Sequence, residues 1–137
     1  MAQSQVLKIE DSILIKSYPE EIFSYLTDSI KLAKWWPKSA MSEPRKNGKL
    51  SFVWENNTIL DTEFKHFFAP RRVSFPFGNE IVELTVSESK KDTIVSVIHS
   101  NIVVQDSDLS LPIHIAQSWS FLLCNLKTVI EHGIDLR

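Results

Sequence analysis

The residues that could carry out acid–base or metal chemistry in this chain are few and scattered. The only cysteine is Cys124, and the four histidines are far apart in sequence; they are His66, His99, His114 and His132. No two of these residues have the spacing that metal ligands use. The sequence also lacks a Gly-x-Ser-x-Gly nucleophile motif and a glycine-rich phosphate-binding loop. It therefore predicts no catalytic residue, no metal site and no cofactor, and it favours a non-enzymatic role.

His66 is the histidine whose neighbours in sequence suggest a binding role. In a strand over residues 59–68, alternation places it on the same face as Leu60, Phe64 and Phe68. A titratable group on an apolar strand face can line a pocket as an acid, a base or a hydrogen-bond donor. A histidine held by structural partners in the core or at its rim is the alternative, and it is the favoured interpretation.

The elements that would position such side chains can be predicted from periodicity. Residues 6–16 alternate as a strand, and Ser17-Tyr18-Pro19-Glu20 fits a capping box at the start of a short helix. Asp28 is placed to cap a second short helix, which Pro37 ends. Five further strands follow, up to residue 104. Because their links are short, we expect an antiparallel sheet with the first strand at an edge.

Residues 112–132 give the clearest helix signal. Apolar residues recur there at spacings of three and four, which predicts one broad buried face. The members of this stripe are Ile115, Trp119, Leu122, Leu123, Leu126, Val129 and Ile130. Gly133 is placed to end the helix in the left-handed conformation, while Phe121 and Cys124 are predicted to be exposed. The predicted fold class is α+β: a curved antiparallel sheet of about six strands around a long C-terminal helix.

Length and charge limit the kind of protein further. A chain of 137 residues with 43% hydrophobic residues can form one core, so we expect one domain over residues 1–137. A net charge of −2 with dispersed basic residues argues against a nucleic-acid partner. Apolar runs are too short to insert into a membrane, and no secretion signal is recognisable. With a lone cysteine, these features predict a cytoplasmic location.

Three stretches carry a resemblance to a known family. They are the strand and proline–glutamate helix start at residues 13–23, the segment from Leu26 to Trp36, and the last helix and tail from Trp119 to Arg137. Together they resemble the START-like, or SRPBCC, superfamily with the birch-pollen-allergen fold, and within it the Hsp-ninety ATPase activator homologue family. The resemblance covers nearly the whole chain and implies a helix-grip fold. One departure is Ser118, where members often carry a glycine.

The resemblance also implies a cavity between the sheet and the last helix. Members of the superfamily bind lipids, hormones or aromatic polyketides, some are enzymes, and some bind a chaperone. We therefore expect a domain that holds a small hydrophobic or amphipathic ligand without catalysis. A chaperone-regulating role, or another protein interaction such as a homodimer, is the alternative.

The expected ligand-binding residues come from the predicted strand faces and the helix stripe. Trp35 or Trp36 would close the mouth of the cavity, and the other residues would form its wall. The full set is Trp35, Trp36, Trp54, Phe64, His66, Phe75, Trp119 and Leu123. For most of the aromatic residues, dense core packing without a cavity is the favoured alternative.

Overall fold

The computed structural model describes residues 3–90 and 92–137 and confirms the predicted α+β class. Two short helices follow the first strand, and a long helix comes last. The helices are α1 (Pro19–Thr27), α2 (Ser29–Leu32) and α3 (Ser110–His132). The strands are β1 (Ser4–Ile15), β2 (Ser39–Ser42), β3 (Lys49–Val53), β4 (Ile59–Glu63), β5 (His66–Phe68), β6 (Arg72–Phe77), β7 (Glu80–Ser89) and β8 (Asp92–Gln105).

The strands form two antiparallel sheets. The larger sheet has the order β1-β8-β7-β6-β5, and the smaller one has the order β2-β3-β4. The first strand is therefore at a sheet edge, as predicted. In the pairing of β1 with β8, Leu7 lies opposite Ile102 but Ile9 lies opposite His99, so β8 bulges around Asn101, which has a φ of 61°. Because the bulge adds a residue to β8, both His99 and Ile102 point into the core.

The predicted strand over residues 59–68 is two strands, and this changes which side chains face inward. Phe64 completes the smaller sheet by donating its amide to the Gly48 carbonyl, whereas the Lys65 amide donates to Ser74 in the larger sheet. The switch breaks the alternation, so that Phe64 and Phe67 pack together with ring centroids 5.3 Å apart. The predicted shared face of Phe64, His66 and Phe68 is therefore wrong. The other unpredicted strand, β2, is short and has no alternating apolar pattern in its sequence.

The two short helices begin differently from each other. Asp28 caps α2 as predicted, since its carboxylate accepts a hydrogen bond from the Lys31 amide at 3.1 Å. The predicted capping box at α1 is wrong, because Tyr18 occupies the capping position and no side chain caps the helix. The Ser17 hydroxyl instead donates to the Glu21 carboxylate at 2.5 Å. Pro19 at the first helical position fixes the start of α1 without needing an amide donor.

Helix α3 buries the predicted stripe against the sheets. Ile115, Trp119, Leu126 and Val129 are all buried, and Phe121 is 44% exposed on the other side. Gly133 has a φ of 67° and ends the helix in the left-handed region, as predicted. Within the part of the chain that the structure describes, no helix has the length and apolar character needed to cross a bilayer.

Candidate functional site

Seven of the eight residues predicted to line a ligand site belong to the core or pack against it. These seven are Trp35, Trp36, Trp54, Phe64, Phe75, Trp119 and Leu123. The predicted placement of His66 in the same wall is wrong. Its exposed ring stacks on Phe68, and its Nδ1 lies 2.7 Å from the Ser74 hydroxyl. The break between β4 and β5 is the physical reason, because it rotates His66 to the outer face.

Trp36 lies at the centre of an aromatic cluster. Its ring centroid is 4.9 to 6.1 Å from those of six other aromatic side chains, which are Trp35, Phe52, Trp54, Phe75, Phe77 and Trp119. These are the distances of aromatic rings in contact. The space between α3 and the sheets, where the resemblance implied a cavity, is therefore filled around Trp36 by aromatic side chains.

A buried polar network lies directly behind this cluster. The Trp119 Nε1–H donates to His99 Nδ1 at 2.9 Å, and His99 Nε2 lies 2.7 Å from a Glu80 carboxylate oxygen. Because an indole nitrogen can only donate, His99 Nδ1 must be the acceptor and Nε2 must carry the proton. His99 thus joins α3 to β7 and β8 through a defined tautomer. It is the interior histidine of this fold.

Sequence reasoning missed His99, although a signal for it was present. In β8 it follows Val95 and Val97 at alternate positions, and both valines are fully buried. A histidine at the next inward position should therefore have been expected in the core.

Substitution of the two histidines should show this difference directly. His99→Ala leaves the buried Trp119 N–H and the Glu80 carboxylate without their partner, and we expect it to cost about 1–3 kcal/mol of unfolding free energy. His66→Ala removes an exposed ring and should cost less than about 1 kcal/mol. Urea unfolding of both variants measures the two losses. Equal losses would contradict the assignment of His99 as the interior histidine.

Trp36 and Trp54 form the apolar part of a surface cleft of about 520 Å³. The cleft thus lies at the border of the aromatic cluster. Its remaining lining residues are Lys38, Glu55, Asp135 and Arg137. A larger groove, of about 890 Å³, crosses β2, β3 and β4 and is lined by none of the eight predicted residues. Of these two grooves, the smaller one is therefore the groove that combines predicted site residues with charged groups.

The charged groups of this cleft are not equivalent. Arg137 is fully engaged: its guanidinium contacts the Asp135 carboxylate at 2.9 to 3.2 Å and donates to the Ala33, Trp36 and Pro37 carbonyls at 2.8 to 3.0 Å. Among the described residues, the Lys38 ammonium group has one hydrogen-bond partner, the Asn57 side-chain oxygen at 3.3 Å. Among residues 3–90 and 92–137, neither Lys38 nor Glu55 has an ion-pair partner. These two side chains are the charges that remain available to a ligand.

Hydrogen bonds from Arg137, followed by one from Asn125, hold the pKa of the Asp135 carboxyl well below its usual value of 3.8. Burial raises the pKa of this carboxyl, but its effect is smaller than that of the Arg137 side-chain hydrogen bonds. A lowered pKa in the folded state means that the ionised form stabilises the fold. This contribution is present above about pH 4 and is lost as the pH falls from there towards the lower folded-state pKa.

In the two described ranges, no group of three His, Cys, Asp or Glu side chains is close enough to hold a metal ion. The cleft itself offers aromatic contact, the Lys38 ammonium group and the Glu55 carboxylate.

Solved structures with the same fold are numerous. A protein from Staphylococcus saprophyticus superposes with a TM-score of 0.85 at 18% identity, over 96% of each chain. The Aha1 dimer from Colwellia psychrerythraea gives a TM-score of 0.80 at 23% identity, over 93% of this chain and 98% of that one. The AHSA1-like protein from Aeromonas hydrophila gives a TM-score of 0.74 at 17% identity, over 96% of this chain and 97% of that one. Identities this low establish the shared fold and nothing further.

Sequence comparison identifies the family itself. The comparison with curated proteins gave no match. The sequence model of one family, described as Activator of Hsp90 ATPase homolog 1-like protein, matches residues 16–131, which is most of the chain. The chain therefore belongs to the Activator of Hsp90 ATPase homolog 1-like protein family.

Proposed function

We propose that this protein binds a small amphipathic molecule whose apolar or aromatic part rests on Trp36 and Trp54. The observation that carries the proposal is the cleft of about 520 Å³ that these two residues line. Its volume lies within the range of small-molecule sites, which are typically about 300–1,000 Å³. Such sites combine an apolar surface with a few polar groups that orient the ligand, and this cleft has both.

The Trp36 and Trp54 rings offer a surface suited to a flat or branched apolar group. Their centroids are 6.1 Å apart and their planes are inclined by 56°, so together they form a shallow angled floor. Trp36 is only 7% exposed, and Trp54 provides more of the open surface. A ligand resting here without rearrangement would contact mainly Trp54 and the edge of Trp36.

The polar end of the ligand would lie at the rim. Because Arg137 already uses its donors on Asp135 and on backbone carbonyls, Lys38 is the cation that can meet an anionic group. Glu55 at the same rim disfavours a second negative charge on the ligand. We therefore favour ligands with one anionic or hydrogen-bonding group attached to an apolar body.

Titration with 8-anilinonaphthalene-1-sulfonate, an aromatic anion, tests the proposal. The wild-type protein should bind it saturably, and Trp54→Ala should weaken binding by about tenfold or more, because an aromatic anchor is lost. Lys38→Ala should weaken binding only a few-fold, as expected for an exposed charge. Phe121→Ala, which removes an exposed aromatic ring from α3, is the matched control and should leave binding unchanged.

Equal binding by Trp54→Ala and the Phe121→Ala control would reject this site. Circular dichroism of each variant must first show native secondary structure, since this dye also binds partly folded states.

A protein-interaction role is the second candidate, and the exposed side of α3 supports it. Ile113 and Phe121 are 53% and 44% exposed, and Leu109 and Leu111 near the helix start are also exposed. The relative from Colwellia psychrerythraea was solved as a dimer, and the family is described by the activation of a chaperone ATPase. Sedimentation of the wild type and of Phe121→Glu over a range of concentrations would reveal a self-associating surface.

A further inference from the structure

The tail after α3 is fastened to the segment that carries Trp36. Residues 33–38 connect α2 to β2 and contain the Trp35-Trp36-Pro37 sequence. On the basis of the proposed function, we propose that residues 133–137 act as a strap that holds the Trp36 ring over the interior. Release of the strap would then free Trp36 to move and open the space between α3 and the sheets.

Asn125 makes the first attachment of this strap. It is fully buried in α3, although its side chain is polar. Its amide nitrogen donates to the Trp35 carbonyl at 3.0 Å and to the Asp135 carboxylate at 3.1 Å, and its side-chain oxygen accepts from the Leu136 amide at 2.6 Å. One side chain thus joins the helix to the Trp segment on one side and to the tail on the other.

Arg137 makes the second attachment. A guanidinium has five N–H donors, and those of Arg137 point to the Asp135 carboxylate and to the carbonyls of Ala33, Trp36 and Pro37. Asp135 holds the guanidinium in this orientation from the other side. Because the contacted carbonyls belong to Trp36 itself, to Ala33 before it and to Pro37 after it, Arg137 fixes the backbone that orients this ring.

The position of the ring explains why this attachment matters. Trp36 contacts Trp119 of α3, Phe52 of the smaller sheet and Phe75 of the larger sheet, so it separates the interior from the cleft. It is carried by a segment outside the helices and strands, where a backbone is held less firmly than in a sheet. Asp135 and Arg137 line the cleft as well, so a ligand bound there would touch the strap.

Hydrogen exchange measured by NMR on Arg137→Gln tests the strap without any ligand. The backbone amides of Trp35 and Trp36 both donate to the Leu32 carbonyl, and they should exchange about tenfold faster or more than in the wild type, because the hydrogen bonds that hold this segment to the tail are lost. Amides in β7 and β8 should keep their wild-type rates. Arg71→Gln is the matched control, since the Arg71 guanidinium pairs with the exposed Glu88 and lies outside this region.

Wild-type exchange rates for Trp35 and Trp36 in Arg137→Gln would overturn the strap. If that variant does not fold, hydrogen exchange in the wild-type protein still tests the strap. The strap requires that the Leu136 and Trp36 amides open together with similar protection, and a Trp36 amide that stays protected while Leu136 exchanges freely would overturn it. Faster exchange in Arg137→Gln with no binding of 8-anilinonaphthalene-1-sulfonate to either protein would support the strap and reject the proposed ligand site.

Discussion

Trp119→Ala is expected to lower the free energy of unfolding by about 3–5 kcal/mol, the usual cost of truncating a buried large aromatic side chain. Trp119 is 3% exposed, and its ring centroid is 5.0 Å from that of Trp36. Its indole N–H also satisfies the buried His99. The truncation therefore removes apolar contact between α3 and the sheets and leaves a buried polar group without its donor.

Chemical denaturation of the wild type and two variants separates these contributions. Trp119→Phe keeps an aromatic ring but loses the donor to His99. It should therefore lower the free energy of unfolding, but by less than Trp119→Ala does. Phe121→Ala, two positions further along the same helix, should cost less than about 1 kcal/mol because the ring is exposed. A loss of less than about 1 kcal/mol for Trp119→Ala would mean that this face of α3 does not cover the core.

Trp36→Ala is expected to cost about 3–5 kcal/mol for the same reason, and also to create a cavity that can be refilled. The space left by the ring would be lined by aromatic side chains, which are those of Trp35, Phe52, Trp54, Phe75, Phe77 and Trp119. Apolar cavities of this kind bind small apolar molecules. Added indole should therefore raise the melting temperature of Trp36→Ala, since a ligand that binds only the folded state stabilises it.

Thermal unfolding of the wild type, Trp36→Ala and Phe121→Ala with and without indole measures the shift in melting temperature. The wild type should show a smaller shift, because Trp36 fills the site in its closed position, and Phe121→Ala should behave like the wild type. A Trp36→Ala variant that gains no stability from indole would mean that the neighbouring side chains collapse into the space. The interior would then have no capacity for an apolar ligand.

The fold could be predicted from the sequence wherever a long periodic pattern dictated it. The α3 stripe from Ile115 to Val129, the Asp28 cap and the Gly133 helix end all follow from local chemistry, and all three are present. The division between β4 and β5 could not be predicted in this way. It depends on which sheet the Phe64 and Lys65 amides join, and this is a tertiary property that no local pattern records.

The burial of the candidate site residues could be predicted in part for the same reason. Phe75, Trp119 and Leu123 lie in the core because each belongs to a periodic face, whereas His66 was misplaced by a change of register of one residue. The role of Asn125 was also missed, since a polar residue within an apolar stripe is recognisable only once its partners in the tail are known. The packing of Trp36 into the space of the expected cavity likewise depends on the arrangement of six neighbouring rings.

The four tryptophan indole N–H signals offer the most direct test of the ligand site. They can be assigned by single Trp→Phe variants and followed by proton–nitrogen correlation spectra during titration with fatty acids and aromatic carboxylates. A bound ligand should shift the Trp36 and Trp54 signals first, while that of Trp35, whose indole donates to the Tyr25 carbonyl at 2.8 Å, should move least. If ligands of both classes leave the Trp36 and Trp54 signals in place at saturating concentrations, the proposed site is wrong.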